Sequence, residues 1–482
     1  MTGLSTLCGT RRREFLWEAG CGFFGTALTG MLASDGFLGR AAVAASRSDD
    51  GSPLATQPPH FPGTARACIF LYMVGGPSHM DTFDPKPELL ARHGQKHDFA
   101  ASGARTQKPA GTLKGSPFSF ARHGRSGIEI SELFPALARH ADDLCVLRGL
   151  TADSSAHGTA SLQMNTGFLR PGFPSLGSWA TYGLGSENQD LPGFVVLPVS
   201  GTPYAGAQNW SSGFMPAAYQ GTAFNARGEP VSNLQAEGGV DAAEQRRRLD
   251  LLAQFNAGHL RATPLNDELA ARIASYELAF RMQSAAPEAV DHSGESASIS
   301  RLYGLDRKET ETFGRGCLMA RRLVERGVRF VQLFHGNWDT HGDNDNRHRI
   351  NATQTDQPIA GLLEDLKQRG LLDSTLVIWG GEFGRTPIGG VEKNGGRDHH
   401  ALGFSMWLAG GGAKRGVVHG ATDELGFNAV EGNMHVHDLH ATILHLMGFD
   451  HERLTYLHNG RDYRLTDVHG RVAKEIVASA AT

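Results

Sequence analysis

The sequence has few cysteines, no marked excess of charge and, beyond its N-terminal segment, no long apolar run. None of its five cysteines forms a closely spaced pair, which excludes a zinc knuckle and argues against a disulfide scaffold. The formal net charge of −4 gives no electrostatic reason to expect binding to nucleic acid or to an anionic membrane. No later segment reaches ~18 uninterrupted apolar residues, so we expect the chain to be soluble once its N-terminal segment is removed.

The N-terminal segment carries an export pattern. In "TRRREFLWEAGCGFFGTALTGMLA", Arg12 and Arg13 precede Glu-Phe-Leu and a mostly apolar stretch, which resembles a twin-arginine signal. Small residues at 41–46 offer a cleavage site. We therefore expect residues 1–45 to be a signal peptide recognised by the twin-arginine translocase, and the mature protein to be periplasmic or secreted. The alternative is an uncleaved membrane anchor, although the stretch is short for a span and is interrupted by Asp35.

Short apolar runs alternate with helical patterns along the rest of the chain. The runs are "ACIFLYMVGG", "LCVLRGL", "GFVVLPV", "VRFVQLF", "TLVIWGG" and "FSMWLAGG". A strand with such a continuous apolar run is buried on both faces, as in a parallel sheet covered by helices. We predict an α/β fold, a three-layer α/β/α sandwich with a mainly parallel central sheet, over residues 65–475 after a linker at 46–64. Two insertions are expected, a loop at about 96–127 and a helical one at about 200–300.

Carboxylate and imidazole side chains follow the ends of several predicted strands. Because ligands bind beyond the carboxyl ends of parallel strands, and because clustered carboxylates repel unless a cation neutralises them, this pattern favours a metal site. Mixed Asp and His ligands suit zinc, manganese or iron better than calcium. Taken singly, each residue could instead be a helix cap, a turn residue or a hydrogen-bonded core histidine. The candidate ligands are His79, Asp81, His157, Asp339, His341, Glu382, Asp398 and His399.

Five segments in this order resemble the DUF1501 family, which is named for its unknown function: "GGPSHMDTFDPKP", "GNWDTHGDN", "VIWGGEFGRTP", "GRDHH" and "HNGRDYRLTDVHG". That family is similar in layout to the alkaline phosphatase superfamily of phosphatases, sulfatases and phosphoglycerate mutases. The resemblance implies an alkaline phosphatase-like sandwich with a hydrolytic site that holds one or two metal ions. It also implies that His79 or Asp81 takes the place of the metal-binding aspartate after the first strand, and that Asp398-His399 matches the late ligand pair.

The sequence departs from that superfamily at the nucleophile. The residue ten positions before the glycine of "NTG" is His157, where the superfamily has a serine, threonine or cysteine. The neighbouring hydroxyls of Ser154, Ser155 and Thr159 could act only if the helix started elsewhere. Glu382-Phe383-Gly384 also replaces the acidic motif of the sulfatases.

We carry three hypotheses for the function. The first is an exported metal-dependent hydrolase that cleaves a phosphate or sulfate ester of a small molecule or polysaccharide by metal-bound hydroxide. In it His157 and Arg385 are catalytic, and Arg385 balances the charge of an anionic substrate or, alternatively, only pairs with Glu382. The second is a non-catalytic binding or structural relative that lost the nucleophile. The third is a redox or cofactor-dependent enzyme, which export in the folded state favours weakly and no GxGxxG or cysteine motif supports.

Overall fold

The computed structural model describes residues 53–98, 110–232, 234, 240–262 and 267–479. The strands, numbered in chain order, are β1 Ala67–Met73, β2 Lys96–Asp98, β3 Ala110–Thr112, β4 Phe120–His123, β5 Ile128–Ser131, β6 Leu144–Thr151, β7 Phe194–Ser200, β8 Thr222–Ala223, β9 Phe330–His335, β10 Thr375–Gly380, β11 Gly384–Gly389, β12 Arg397–His400, β13 Phe404–Ala409, β14 Val417–His419, β15 Ala421–Thr422, β16 Ala429–Glu431, β17 Met434–His435, β18 Tyr456–His458 and β19 Arg461–Tyr463.

Helices connect these strands. They are α1 His79–Thr82, α2 Pro87–Ala91, α3 His157–Thr166, α4 Leu176–Leu184, α5 Ala242–Ala262, α6 Asp267–Val290, α7 Ala297–Leu302, α8 Glu311–Glu325, α9 Asn344–Gln368 and α10 Val436–Leu446. Short 3-10 helices lie at Leu137–Asp143, Gly206–Trp210, Ala217–Tyr219, Leu372–Ser374 and Lys474–Ile476.

The central sheet has nine strands in the order β14-β6-β13-β10-β1-β9-β7-β8, with β17 also pairing with β6. Parallel pairing joins β10, β1, β9, β7 and β8, whereas β13 is antiparallel to both β10 and β6. Helices cover both sides of this sheet. The predicted three-layer α/β/α sandwich with a mainly parallel sheet is therefore confirmed.

The apolar runs form the central strands because they are buried on both faces of the sheet. Every residue of β1, β9, β10 and β13 is buried. The helix α8 shows the complementary pattern: Phe313, Leu318 and Leu323 lie in the core, while Glu311 and Arg315 form an ion pair one turn apart. Such a helix is stable only when its apolar face packs against the sheet. Within the described residues, no helix combines the length and apolar character that a membrane span requires.

Three neighbouring parallel strands bring the candidate site together. β10, β1 and β9 are adjacent, so the segments that follow them meet at one edge of the sheet. The antiparallel ribbon of β11 and β12 lies at the same edge and pairs Arg385 with His399. Gly75, just after β1, has a φ of 112°, and a Cβ there would lie 2.3 Å from the backbone nitrogen of Asp339. Only glycine permits this close approach.

The predicted insertions contain regular structure. The segment at 96–127 includes strands of two small antiparallel ribbons, β2 with β3 and β4 with β5, and residues 99–109 lie outside the described part. The segment at 200–300 contains the two predicted helices, α5 and α6, which pack on one another through an ion pair of Arg246 with Glu277. The predicted signal peptide at 1–45 and its cleavage site lie outside the described residues.

Candidate metal centre

Four side chains from three separate segments converge at this edge of the sheet. His157 is the first residue of α3, Asp339 and His341 lie in the loop after β9, and His399 lies in β12. One ligand atom from each residue lies within 4.8 Å of all the others. A single ion could contact all four donors.

The distances show how closely the donors approach. The Nε2 atoms of His341 and His399 are 2.7 Å apart. Oδ1 of Asp339 lies 3.1 Å from the first and 3.2 Å from the second. Oδ2 of the same carboxylate lies 3.2 Å from Nε2 of His157. The carboxylate of Asp339 therefore contacts all three imidazoles.

The Nδ1 atom of each of the three histidines has its own hydrogen-bond acceptor. Nδ1 of His157 donates to Oε1 of Glu382 at 2.7 Å, and Nδ1 of His399 donates to the carbonyl of Ser155 at 2.8 Å. Nδ1 of His341 lies 3.1 Å from Oδ1 of Asp398. In a neutral imidazole the proton is then on Nδ1, which leaves a lone pair on each Nε2.

The three lone pairs and the Asp339 carboxylate make a site that suits a cation. Two imidazole lone pairs 2.7 Å apart repel unless a proton or a metal ion lies between them. The Nε2 atom of His157 is buried and has no hydrogen-bond partner among the described residues. A metal-binding histidine commonly donates its other ring nitrogen to a carboxylate or carbonyl, as all three do here. Three nitrogens and a carboxylate suit zinc, manganese or iron, and calcium is less suited because it prefers oxygen ligands.

Arg385 fixes the carboxylate of Asp339. Its side chain is fully buried, and its Nη2 atom donates to Oδ1 of Asp339 at 2.8 Å. Its remaining hydrogen bonds go to backbone carbonyls, those of Gly75, Gly76, Trp338 and Arg397. Burial alone would raise the pKa of Asp339, but the contacts with the imidazoles of His157 and His399 and the charge of Arg385 hold it well below its usual range. Arg385 thus orients a candidate ligand and keeps it ionised.

Glu382 plays the same part for His157. Its side chain is fully buried, and its two oxygens accept from the backbone N–H of Gly75 at 3.0 and 3.2 Å as well as from His157. Burial tends to lower the pKa of His157, yet the nearby carboxylates of Asp339 and Glu382 outweigh it and raise that pKa. The sequence predicted Glu382 and Asp398 as ligands. In the structure their carboxylates instead contact the Nδ1 atoms of His157 and His341, on the far side of each ring from the converging atoms.

Two of the predicted ligands, Asp81 and His79, lie outside the cluster. The carboxylate of Asp81 is neutralised by Arg397, whose Nε and Nη2 atoms donate to it at 2.9 and 3.2 Å. His79 donates through Nε2 to the carbonyl of Gly426 at 3.0 Å, and burial lowers the pKa of its imidazole to about 4. The strand β1 therefore contributes its glycine turn to the site, and no ligand atom.

The structure also settles where α3 starts. Its first residue is His157, and Ala156 precedes it as the N-cap. Oγ of Ser154 lies 2.5 Å from Oγ1 of Thr159, which donates in turn to the carbonyl of Ala156. These hydroxyls bond to each other and to the backbone, and the imidazole of His157 occupies the helix start.

Sequence reasoning missed three parts of the site. Tyr204 stacks on the ring of His157 with centroids 4.3 Å apart, and its hydroxyl lies 3.3 Å from Oδ2 of Asp339. The backbone carbonyl of Ser155, which accepts from Nδ1 of His399, could not be predicted from side-chain types. A cavity of about 540 Å³ beside the cluster is lined by Asp339, His341, Gly342, Asp343, Arg347 and Asn394. The only sequence signal for Tyr204 was its place in a Gly- and Pro-containing segment just after β7.

The DUF1501 family model, described as "Protein of unknown function", matches residues 65–477. The chain belongs to the DUF1501 family. This confirms the resemblance that the five sequence segments indicated. A search of curated proteins by sequence finds no match for this DUF1501 chain.

Several solved structures are similar to this DUF1501 chain at low identity. The lipoteichoic acid synthase LtaP from Listeria monocytogenes has 9% identity, a TM-score of 0.36, and coverage of 83% of this chain and 77% of that one. The PsFucS1 sulfatase from Pseudoalteromonas sp. has 13% identity, a TM-score of 0.33, and coverage of 81% and 69%. The alkaline phosphatase from the Antarctic bacterium TAB5 has 10% identity, a TM-score of 0.33, and coverage of 80% and 99%.

Proposed function

We propose that this protein is an exported metal-dependent hydrolase that acts on a phosphate or sulfate ester of a small molecule or polysaccharide. The observation that carries the proposal is the convergence of three imidazole Nε2 atoms on the carboxylate of Asp339, while each Nδ1 is held by an acceptor of its own. A purely structural histidine cluster has no need to leave three lone pairs facing one carboxylate.

His157, Asp339, His341 and His399 would hold the metal ion. A divalent ion bound there would act as a Lewis acid toward an ester oxygen and toward an attacking water. Glu382, Asp398 and the carbonyl of Ser155 keep the imidazoles oriented. Arg385 is fully buried and donates to one carboxylate and four carbonyls, so in this proposal it positions Asp339 and leaves the substrate to other groups.

Arg347 is the group best placed to bind an anionic substrate. It lines the cavity beside the cluster together with Asp339 and His341, and its side chain is exposed. A guanidinium always carries its charge at physiological pH and can bind two oxygens of a phosphate or sulfate group at once. The substrate would thus lie with its ester group near His341 and a further oxygen near Arg347.

A water molecule is the nucleophile that this proposal requires. Because α3 starts at His157, no hydroxyl or thiol occupies that position, and Ser154 and Thr159 bond to each other. The same observation favours the second candidate, a non-catalytic protein that binds a metal but turns over no ester. The two candidates differ only in turnover, so one set of measurements separates them.

The test begins with the metal content of the purified protein, measured by elemental analysis. We expect about one zinc, manganese or iron per chain in the wild type and a loss of most of it in His157→Ala and His399→Ala. His259→Ala is the matched control, because His259 is exposed on α5 outside the cluster. A wild-type protein that retains no transition metal when supplied with it would contradict the metal centre.

Turnover is then measured on p-nitrophenyl phosphate and sulfate esters, including diesters. We expect hydrolysis that requires metal, is lost in His399→Ala and falls in Arg347→Gln with an increase mainly in KM. Arg347→Lys should recover part of the binding because it restores the charge without the planar fork. A fully metal-loaded protein with no turnover across these esters would favour the non-catalytic candidate.

The export route is a separate part of the proposal and rests on the pattern around Arg12 and Arg13. A variant with both residues changed to Lys should remain inside the cell, while the wild type reaches the periplasm or medium in a form that lacks the N-terminal segment. Cell fractionation measures this. Export of the double variant at the wild-type level would contradict a twin-arginine route.

A further inference from the structure

Tyr204 lies over the candidate metal centre, although no sequence motif pointed to it. Its ring is stacked on the imidazole of His157 with an angle of 14° between the planes. Its hydroxyl donates to Oδ2 of Asp339 at 3.3 Å. The side chain remains 46% exposed, so the tyrosine touches two candidate ligands from the solvent side.

The backbone of Tyr204 is fixed by buried polar groups. Its carbonyl accepts from Oγ of Ser161 and from Nδ2 of Asn209, both at 2.8 Å. Both of these side chains are fully buried, and Oδ1 of Asn209 accepts in turn from Asn165 at 3.0 Å. Buried amides and hydroxyls that are fully hydrogen-bonded hold a loop in one conformation. The network thus fixes the backbone from which the exposed side chain of Tyr204 projects.

The next residue shows that this turn is also strained. Ala205 has a φ of 72°, a left-handed conformation that alanine rarely adopts, and Gly206 follows at 53°. A non-glycine residue stays in this region only when the surroundings enforce it, and such strain is common at functional sites. Ala205 directly follows the tyrosine, so the strained turn places Tyr204 over the cluster.

We propose that Tyr204 is a positioning residue of the metal centre: its hydroxyl holds Oδ2 of Asp339 and its ring holds the plane of the His157 imidazole, and together they set the affinity and coordination of the bound ion. The inference rests on the proposed metal centre and goes beyond it, since no ligand atom comes from Tyr204. The ring stacks on one ligand, and the hydroxyl restrains the orientation of the carboxylate.

The experiment separates the two contacts. Tyr204→Phe removes the hydroxyl and keeps the ring, whereas Tyr204→Ala removes both. Tyr276, which is 45% exposed on α6, supplies the matched controls Tyr276→Phe and Tyr276→Ala. The apo form of each full-length protein is titrated with Co²⁺, with zinc competition for affinity, and the visible absorption of bound Co²⁺ reports its coordination.

We expect Co²⁺ affinity to fall about threefold in Tyr204→Phe, which removes one contact, and about tenfold or more in Tyr204→Ala, which reaches the range seen when groups that orient metal ligands are removed. The Co²⁺ absorption band should shift in both, while thermal unfolding of the apo proteins stays close to wild type because the side chain is half exposed. The Tyr276 variants should bind Co²⁺ with wild-type affinity and spectrum.

Three outcomes would overturn the inference, and they are distinguishable. If wild type binds Co²⁺ and both Tyr204 variants bind it within twofold and with an unchanged spectrum, Tyr204 does not position the ligands, and the metal centre stands. If wild type itself fails to bind Co²⁺ or zinc, the metal centre fails and the role of Tyr204 fails with it. Equal losses in the Tyr204 and Tyr276 variants would indicate a general effect on folding and would also overturn it.

Discussion

Asp81 and Asp339 are both aspartates just beyond neighbouring parallel strands, yet their surroundings differ. Asp81 is fully buried and is neutralised by the two-pronged contact of Arg397, with a further hydrogen bond from Asn344 at 3.2 Å. Asp339 is partly exposed, accepts one bond from Arg385 and faces three imidazoles. Arg397 balances the charge of Asp81. Around Asp339, by contrast, three imidazole nitrogens and the carboxylate remain as possible ligands for an ion.

The comparison teaches that the partner of a carboxylate decides its role, and that position at the sheet edge does not. Burial would raise the pKa of Asp81, but Arg397 holds it well below the usual range. The ion pair takes up both oxygens, so this aspartate has no oxygen left to direct at a metal. The same logic extends to Asp356, a buried carboxylate on α9 that has no cationic partner within hydrogen-bond distance among the described residues.

The largest effect is expected for the Asp81 pair. Asp81→Asn keeps the shape of the side chain but leaves the buried guanidinium of Arg397 without its counter-charge, which typically costs about 3–5 kcal/mol of folding free energy. Urea unfolding of the metal-free protein measures this, and the metal content of the folded fraction should not change. The double variant Asp81→Asn/Arg397→Met should regain part of the loss. Loss of metal without loss of stability would instead make Asp81 a ligand.

The next effect concerns Asp339. Asp339→Asn should lower metal affinity by about 100-fold, because a neutral amide replaces the charged donor, while the fold persists. Competition with a chelator measures the affinity. Asp343→Asn is the matched control, since Asp343 lines the same cavity outside the cluster. An Asp339→Asn protein that binds metal as tightly as the wild type would remove the distinction between the two aspartates.

A smaller effect is expected at Glu382, which touches the site through His157. Glu382→Gln weakens the acceptor for Nδ1 of His157, so we expect about a tenfold loss of metal affinity and a second tautomer of that imidazole. Long-range ¹H–¹⁵N NMR of the histidines reports the tautomer. If His157 keeps its proton on Nδ1 and the affinity is unchanged, the contact with Glu382 has no positioning role.

The smallest effect is expected for Asp356, a buried carboxylate that is held, within the described part of the chain, by backbone N–H groups and not by a cation. Burial raises the pKa of Asp356 to about 6, although its hydrogen bonds from the backbone N–H groups of Ala136 and Leu137 oppose the shift. A raised pKa means that the folded state holds the proton more tightly, so this contribution is present below pH 4 and is lost as pH rises through 6. Relative to Asp356→Asn, the wild type should lose on the order of 1 kcal/mol between pH 4 and 6.5.

Chemical denaturation of both proteins across this pH range checks the sign of the effect. A stability difference that stays constant, or that grows in favour of the wild type as pH rises, would show that Asp356 is ionised in the folded protein.

The central strands could be predicted because burial on both faces leaves a continuous apolar run in the sequence. The direction of β13 could not, because "FSMWLA" is as apolar as its parallel neighbours and a run carries no sign of its orientation. The ribbon of β11 and β12 was also missed, since its strands are short and polar. That ribbon is what places His399 beside Asp339.

Half of the predicted ligands converge for a reason that the sequence could show: His157, Asp339, His341 and His399 each follow a strand or precede one. The exclusion of Asp81 depended on Arg397, which lies 316 residues away and directly before Asp398. The sequence shows which acids and histidines follow a strand, but it does not show which basic side chain forms an ion pair with them. Contacts over such separations are a property of the tertiary structure.

The residues of the proposed metal centre are far apart along the chain, and this bears on when the chain could bind an ion. His157 lies 225 residues from Glu382, the carboxylate that orients it, and 58 residues separate His341 from His399. An unfolded chain would have to close these long loops to gather the donors, at an entropic cost that a single ion must overcome. In the proposed metal centre, the polypeptide would therefore fold before it binds an ion, and the compartment in which folding finishes would determine which metal it meets.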